Sequence, residues 1–163
     1  MKLVKRSQKL SFMEGTSGTF NRMKAFTAFS KSKNPKEYTR QYVDLDQETT
    51  DVVAISTSVE FNFDQMENDE VHSKLVDIID GEKIGADAIV TLLSVDLSKP
   101  GATADSFVAT KRDFVLVPGT EGDKLEAYSY GGTFKVKGQK ITGEATSTDN
   151  WETCTFVEDG AGI

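Results

Sequence analysis

Residues that commonly carry chemistry are scarce in this chain: its 163 residues include one cysteine and one histidine. A lone cysteine, Cys154, cannot close an internal disulfide, so assembly in a reducing cytoplasm is expected. A lone histidine, His72, excludes a metal cluster built on several imidazoles and leaves any imidazole catalysis to one side chain. The longest apolar run, "AIVTLL", is far shorter than the roughly 20 residues that a bilayer crossing needs, and no membrane partner is expected. The opening "MKLVKRSQKLSFMEG" begins with lysines, but no apolar core of about 7–15 residues follows them, and no secretory leader is expected.

What is present looks globular. Hydrophobic residues make up 37% and charged residues 28% of the chain, close to the values of soluble domains. The length suits one domain plus arms. Charge is unevenly placed: residues 1–40 carry a balance of +8 and residues 41–163 a balance of −15, within a net −7. This asymmetry predicts a basic arm, residues 1–34, on an acidic body, residues 35–163. Such an arm can meet nucleic-acid phosphates or the acidic body of a neighbouring copy. An acidic body repels phosphate, which argues against a clamp on duplex DNA.

Residues 1–34 show poor periodicity and read as an arm or long loop, with one short strand near Lys2–Gln8. Phe12, Phe20, Phe26 and Phe29 are more aromatic surface than a solvated tail should carry and should find a surface to cover. "KEYTRQYVD" (36–44) alternates as a strand does. "DLDQETTD" (44–51) reads as an acidic loop. In "VVAISTSVEFNF" (52–63), Val53, Ile55, Thr57, Val59, Phe61 and Phe63 share one face, while Ser56, Ser58, Glu60 and Asn62 share the other. That pattern predicts a strand with one buried and one wet side.

One helix is expected at about 69–80. Asn68 or Asp69 caps it, and Val71, Leu75, Ile78 and Ile79 form an apolar stripe. Gly81 is expected to supply a left-handed stop. Five further strands are expected, within residues 88–96, 107–118, 126–136, 140–147 and 151–157. Residues 132–146, "GTFKVKGQKITGEAT", read as a hairpin around a Lys-Gly-Gln turn. Phe134, Val136, Ile141 and Ala145 face inward; Lys135, Lys137, Lys140, Thr142, Glu144 and Thr146 face outward. The fold class is therefore mainly β with one α-helix: an antiparallel β-sandwich with a flanking helix and an extended N-terminal arm.

No constellation for catalysis emerges. His72 lies one residue beyond the apolar stripe and reads as a surface or boundary residue. Cys154 reads as structural, since no oxyanion site accompanies it. "DLDQETTD" opens like a calcium loop but lacks the glycine at the sixth position and the closing glutamate. "SYGGTFKVKG" precedes no helix, so it does not qualify as a phosphate cradle, and Gly131 and Gly132 mark a bulge or bend instead. No enzyme activity, catalytic residue, metal or cofactor is expected.

Four segments in order, "YTRQYVDLDQETTDVVAISTSVEFNFD", "DEVHSKLVDIIDGEKIGADAIVTLLSVD", "ATKRDFVLVPG" and "YSYGGTFKVKGQKITGEATSTDNWETCTF", resemble the major tail proteins of long-tailed bacteriophages over about residues 36–157. The resemblance implies a structural virion protein, assembled in the host bacterial cytoplasm, whose hexameric rings stack into a tail tube that delivers DNA. It also implies contacts with tape-measure, tail-terminator and distal-tail proteins, and passage of DNA through the lumen without specific binding. On this reading Asp44, Asp46, Glu48 and Asp51 form a ring-to-ring stacking loop, and Ser56, Ser58, Glu60 and Asn62 face the lumen. Lys135, Lys137, Lys140, Thr142 and Glu144 belong to an inter-subunit or lumenal hairpin. A non-catalytic carbohydrate-binding sandwich is the rival, with Tyr128, Tyr130 and Trp151 as its candidate aromatic platform.

Overall fold

In the computed structural model, which describes residues 1–16 and 18–160, strands dominate. Lys9–Glu14 (β1), Thr19–Arg22 (β2), Phe26–Ser32 (β3), Pro35–Arg40 (β4), Thr49–Ile55 (β5) and Ser58–Asp64 (β6) precede the single α-helix, Glu70–Asp80 (α1). Ile89–Pro100 (β7), Phe107–Glu121 (β8), Ser129–Val136 (β9), Ile141–Thr146 (β10) and Thr153–Glu158 (β11) follow it. Nine strands form one sheet in the order β10-β11-β2-β1-β7-β8-β9-β6-β3, and β4 and β5 pair apart from it. Every pairing is antiparallel. The molecule is a mainly β, antiparallel sandwich with one flanking helix, as the alternation of apolar residues predicts.

The sheet serves two cores because β7 is buried on both faces. Val90 and Leu92 point toward α1, where they meet Val59, Phe61, Phe63, Leu116 and Phe134. Leu93 and Val95 point the other way, into a core with Leu10, Phe12, Phe20, Ala109, Ala145 and Cys154. Alternate residues of a strand point to opposite faces, so the near-continuous run "AIVTLL" is the sequence trace of a strand covered on both sides. Phe61 stacks on Phe134 with ring centroids 4.3 Å apart. Gly132 makes room for this pair: a Cβ there would lie 2.5 Å from the Val117 carbonyl oxygen and 3.1 Å from the Phe61 ring.

Helix α1 matches its expected span and stripe. The Asp69 carboxylate accepts from the His72 backbone N–H at 3.0 Å, which caps the first turn. Its end differs from expectation. Gly81 is right-handed, with φ −75, and Glu82 takes the left-handed conformation, with φ 49. Glycine is nonetheless needed at position 81, since a Cβ there would stand 2.6 Å from the Asp77 carbonyl oxygen.

Three further expectations are corrected. Residues 9–32, read as an arm, form β1, β2 and β3 of the main sheet, with Phe12 fully buried and Phe20 3% exposed. The phenylalanines do find a surface to cover, and that surface is the core. The strand expected over 36–44 stops at Arg40. The strand expected over 52–63 is two strands, β5 and β6, broken at residues 56–57. Asn34, at φ 47, organises the break by donating from Nδ2 to the Ser56 carbonyl and the Ser58 hydroxyl, both at 2.9 Å. Val53 and Ile55, expected in the core, are 55% and 58% exposed, whereas Val59, Phe61 and Phe63 are buried. The period of two runs unbroken through the break, so alternation alone cannot show that β5 has left the sheet.

The hairpin expected at 132–146 is also not a hairpin. β9 and β10 do not pair with each other; both run antiparallel to β8, β9 beside Phe114 to Glu121 and β10 beside Phe107 to Lys111. Residues 137–140 are a kink between them. The N–H groups of Lys137 and Gly138 both reach the Asp113 carbonyl, at 3.0 and 3.3 Å, and Arg112 Nε donates to the Gly138 carbonyl at 2.8 Å. Such a bulge re-aims a chain without ending its pairing. Since β10 also pairs with β11, the strands β8, β10, β11, β2, β1 and β7 close on themselves around the second core.

Two substitutions separate the body from the projecting strands. Phe134→Ala should cost about 3–5 kcal/mol, the usual range for emptying a buried aromatic site. Val53→Ser should stay within about 0.5 kcal/mol of the parent, as exposed positions do. Urea unfolding followed by far-UV circular dichroism measures both, and a large loss at Val53 would contradict the exposed placement of β5.

Candidate functional site

The most conspicuous surface feature is the β4–β5 hairpin. Its strands pair only with each other, from Pro35 opposite Ile55 to Arg40 opposite Thr49, and residues 41–48 form its tip. Arg40 organises the end of the ladder. Its guanidinium lies 5.1 Å from the Tyr38 ring and 5.2 Å from the Tyr42 ring, and it pairs with Asp51 at 2.6 Å. Of the four acidic residues expected to act together, Asp51 is therefore engaged within the hairpin. Asp44, Asp46 and Glu48 stand exposed on the tip. Val43 precedes Asp44 and Leu45 separates Asp44 from Asp46, both apolar residues being exposed, and Val52, Val53 and Ile55 of β5 are exposed as well.

The polar row of 56–62 is partly gathered. Ser58, Glu60 and Asn62 share the face of β6 that points away from α1; Ser56 sits outside the strand, in the break. Register extends the row across neighbouring strands. Ser58 lies opposite Ser32 on one side and Lys135 on the other, and Glu60 opposite Ser30 and Thr133. The adjacent strands β9, β6 and β3 thus present a hydroxyl and charged surface that includes Lys135, and β8 continues its rows with Val117 opposite Thr133 and Val115 opposite Lys135.

The other residues expected in the 132–146 hairpin separate. Lys137 is exposed at the kink. Glu144 is a structural acceptor: it takes the Ala102 N–H at 2.5 Å and the Ser106 hydroxyl at 2.9 Å, holding the loop between β7 and β8. These donors, the Ala102 N–H foremost, draw its carboxyl below the usual range. Lys140 and Thr142 line a groove that sequence reasoning did not anticipate.

That groove runs between β3 and the face of β1, β7, β8 and β10 left uncovered beyond α1. Along its floor Ser11, Ser94, Thr110 and Thr142 stand in register on four neighbouring strands. Above them the Lys31 ammonium reaches down to the Ser94 hydroxyl at 2.6 Å, although the residue as a whole is exposed. Loss of surrounding water, and then the charges of Lys33, Arg6, Lys140 and Lys9, bring its pKa down to about 8. The basic surplus of residues 1–40 is the one sequence signal that pointed here. It did not show that Lys140 and the row of hydroxyls join it.

His72 corrects the surface assignment: it is fully buried. Its Nδ1 accepts the Met66 N–H at 2.9 Å, so Nε2 carries the proton and donates to the Lys24 carbonyl at 2.8 Å. Its ring lies 4.5 Å from Phe63. This histidine ties three segments together. Cys154 is buried, and burial pushes its thiol up to about 12, unlike the lowered values of reactive cysteines. The aromatics of the carbohydrate reading do not form a platform. Tyr128 is exposed, but Tyr130 is buried with its hydroxyl on Asp80 at 3.1 Å, and Trp151 packs beside Phe12 and Phe107. Among the described residues no group of three or more His, Cys, Asp or Glu side chains is placed to hold a metal ion. No helix among them is long and apolar enough to cross a membrane.

Asp96, at the rim of the groove, links this site to stability. Hydrogen bonds from Lys9, and from Ser98, lower its pKa from an ordinary 3.8 to about 2. A depressed carboxyl contributes stability above its unfolded pKa and loses it as pH falls through the folded value. Asp96→Asn should therefore lower the thermal midpoint at pH 7. The difference from the parent should shrink between about pH 4 and pH 2. Calorimetry across that range checks this, and a difference independent of pH would refute it. No family model matches the chain, and no curated protein matches it.

Proposed function

We propose that this chain is the repeating subunit of a bacteriophage tail tube, a structural protein whose copies close into rings and stack around a channel for DNA. The reading begins from the resemblance of residues 36–157 to major tail proteins. The observation that carries it further is the β4–β5 hairpin. A two-stranded hairpin is marginal in water by itself, and here it projects Val43, Leu45, Val52, Val53 and Ile55 into solvent. Exposed apolar side chains gathered on one projecting element mark an interface. A copy bearing it is an incomplete object, and other copies of the same chain are the natural completion.

The face of β8-β9-β6-β3 that points away from α1, polar on β9, β6 and β3 and bordered by Val115 and Val117 of β8, supports the channel. Six subunits contributing four strands each, spaced about 4.8 Å apart, give a circumference of roughly 115 Å and a bore of roughly 37 Å before tilt. Such a bore admits duplex DNA. Ser30, Glu60 and Thr133 make one cross-strand row of the face, and Ser32, Ser58 and Lys135 the next. Hydroxyls and a carboxylate offer phosphate little to grip, with Lys135 the single cation among these six residues. On this reading Asp44, Asp46 and Glu48 meet the next ring. Tape-measure, tail-terminator and distal-tail proteins are the expected partners, and the virion tail is the location.

Negative-stain microscopy of the purified chain at high concentration tests the proposal, with hollow rods of uniform width expected. Replacing residues 41–48 by a two-residue Asn-Gly turn should abolish the rods while the main sheet keeps its circular dichroism and thermal midpoint. A chain that stays monomeric at every concentration, with no rings or rods, would overturn the reading.

A further inference from the structure

The groove beside β3 carries positive charge that its own chain does not neutralise. Arg6, Lys9, Lys31, Lys99 and Lys140 line a cleft of about 550 Å³, and Asp96, already held by Lys9, is the one carboxylate among its lining residues. Lys33 stands in its continuation toward the root of the hairpin. Burial, and then the repulsion of Lys33, Arg6, Lys140 and Lys9, lowers the Lys31 pKa. This concentration occurs in a protein whose net charge is −7. The floor is not purely polar, since Phe29 and Val108 flank the hydroxyl row.

The hairpin tip has the opposite character. Val43, Asp44, Leu45 and Asp46 alternate apolar and acidic side chains, and Glu48 follows. Val43 is 109% and Leu45 40% exposed. Asp44, Asp46 and Glu48 take part in none of the ion pairs among the described residues. The tip matches the groove in both respects, carboxylates for ammonium groups and apolar side chains for Phe29 and Val108 beside the hydroxyl row.

The two surfaces do not meet within one copy, since none of residues 41–48 lines the groove. Lys33 and Thr57, at the hairpin root, line the groove, and β4 carries the tip away from them over six residues. At about 3.3 Å per residue that is a separation of roughly 20 Å along a paired ladder. Complementary surfaces at two different places on one molecule make a heterologous contact, which propagates into rings or stacks and does not stop at a symmetric dimer. We infer that the groove between β3 and the β1–β7–β8 face is the socket for the acidic hairpin tip of a second copy. This inference rests on the tail-tube reading for its biological setting, but the contact itself can be measured without it.

A charge swap provides the test. One variant carries Asp44→Lys, Asp46→Lys and Glu48→Lys on the tip; the other carries Lys33→Glu, Lys99→Glu and Lys140→Glu in the groove. All six positions are exposed, and the circular dichroism and thermal midpoint of each variant establish that it is folded. Sedimentation velocity and light scattering at low and high salt read the association. Each variant alone should associate at least about tenfold more weakly than the parent, and an equimolar mixture should recover most of the loss, since each tip again meets an opposite groove. Added salt should weaken the parent and the mixture alike. If the parent builds tubes and both variants build them equally well, the socket is wrong while the tail-tube reading stands. If the mixture recovers association but only short oligomers ever form, the socket stands and the tube reading fails. A parent that never associates ends both. Salt-sensitive binding of a short DNA duplex that needs the groove lysines, with tip reversal leaving association unchanged, would overturn the inference in favour of a nucleic-acid site.

Discussion

The structure depends on one long strand having two partners along the same edge. β8 pairs with β10 over its first third and with β9 over its second half, while β7 accompanies it on the other edge. A strand of ordinary length, about 5–6 residues, has room for one such neighbour. With fifteen residues β8 belongs both to the closed set of strands around Phe12 and Leu93 and to the open sheet beneath α1. The kink at 137–140 makes this possible. Two N–H groups on the Asp113 carbonyl let the chain leave one core and enter the next while staying on the same edge. Phe134 then fills the first core and Ala145 the second.

This arrangement determines what remains free for function. Closure through β10 removes one margin of the sheet, leaving β3 as the free strand at the other end. The chain leaves β3 through Lys33 and Asn34 into the projecting hairpin and returns through residues 56–57 into β6. The free margin, the root of the hairpin and the basic groove are consequently neighbours. The acidic tip is their counterpart at the outer end of the hairpin. The hairpin carries Tyr38, Tyr42, Val43, Leu45, Val52, Val53 and Ile55 among the exposed apolar side chains of the described residues.

Buried polar groups show the same economy. His72 satisfies both ring nitrogens with backbone partners from separate segments, and the Tyr130 hydroxyl reaches Asp80 at the end of α1. Among the described residues no buried side-chain nitrogen or oxygen lacks a hydrogen-bond partner. Histidine, cysteine and buried tyrosine, the side chains most often recruited for catalysis, are here committed to holding segments together.

Local pattern determined much of this protein. The Val71, Leu75, Ile78 and Ile79 stripe and the Asp69 cap define α1, because helical spacing and capping act within a few residues. Strands β7, β8 and β11 were legible from apolar alternation and intervening turn residues, and with them the sandwich class. Tertiary structure alone decided what each strand pairs with. The period of two is the same whether β9 and β10 face each other or follow each other along β8. It is the same, too, whether Val53 lies in a core or in water. The polar row was half legible, since parity placed Ser58, Glu60 and Asn62 on one face but could not bring Lys135 beside Ser58. The groove was hidden for a stronger reason: its cations come from segments as far apart as Arg6 and Lys140, and only pairing across β1, β7, β8 and β10 assembles them over one row of hydroxyls. Spacing in sequence encodes direction along an element, whereas adjacency between distant elements is settled by packing.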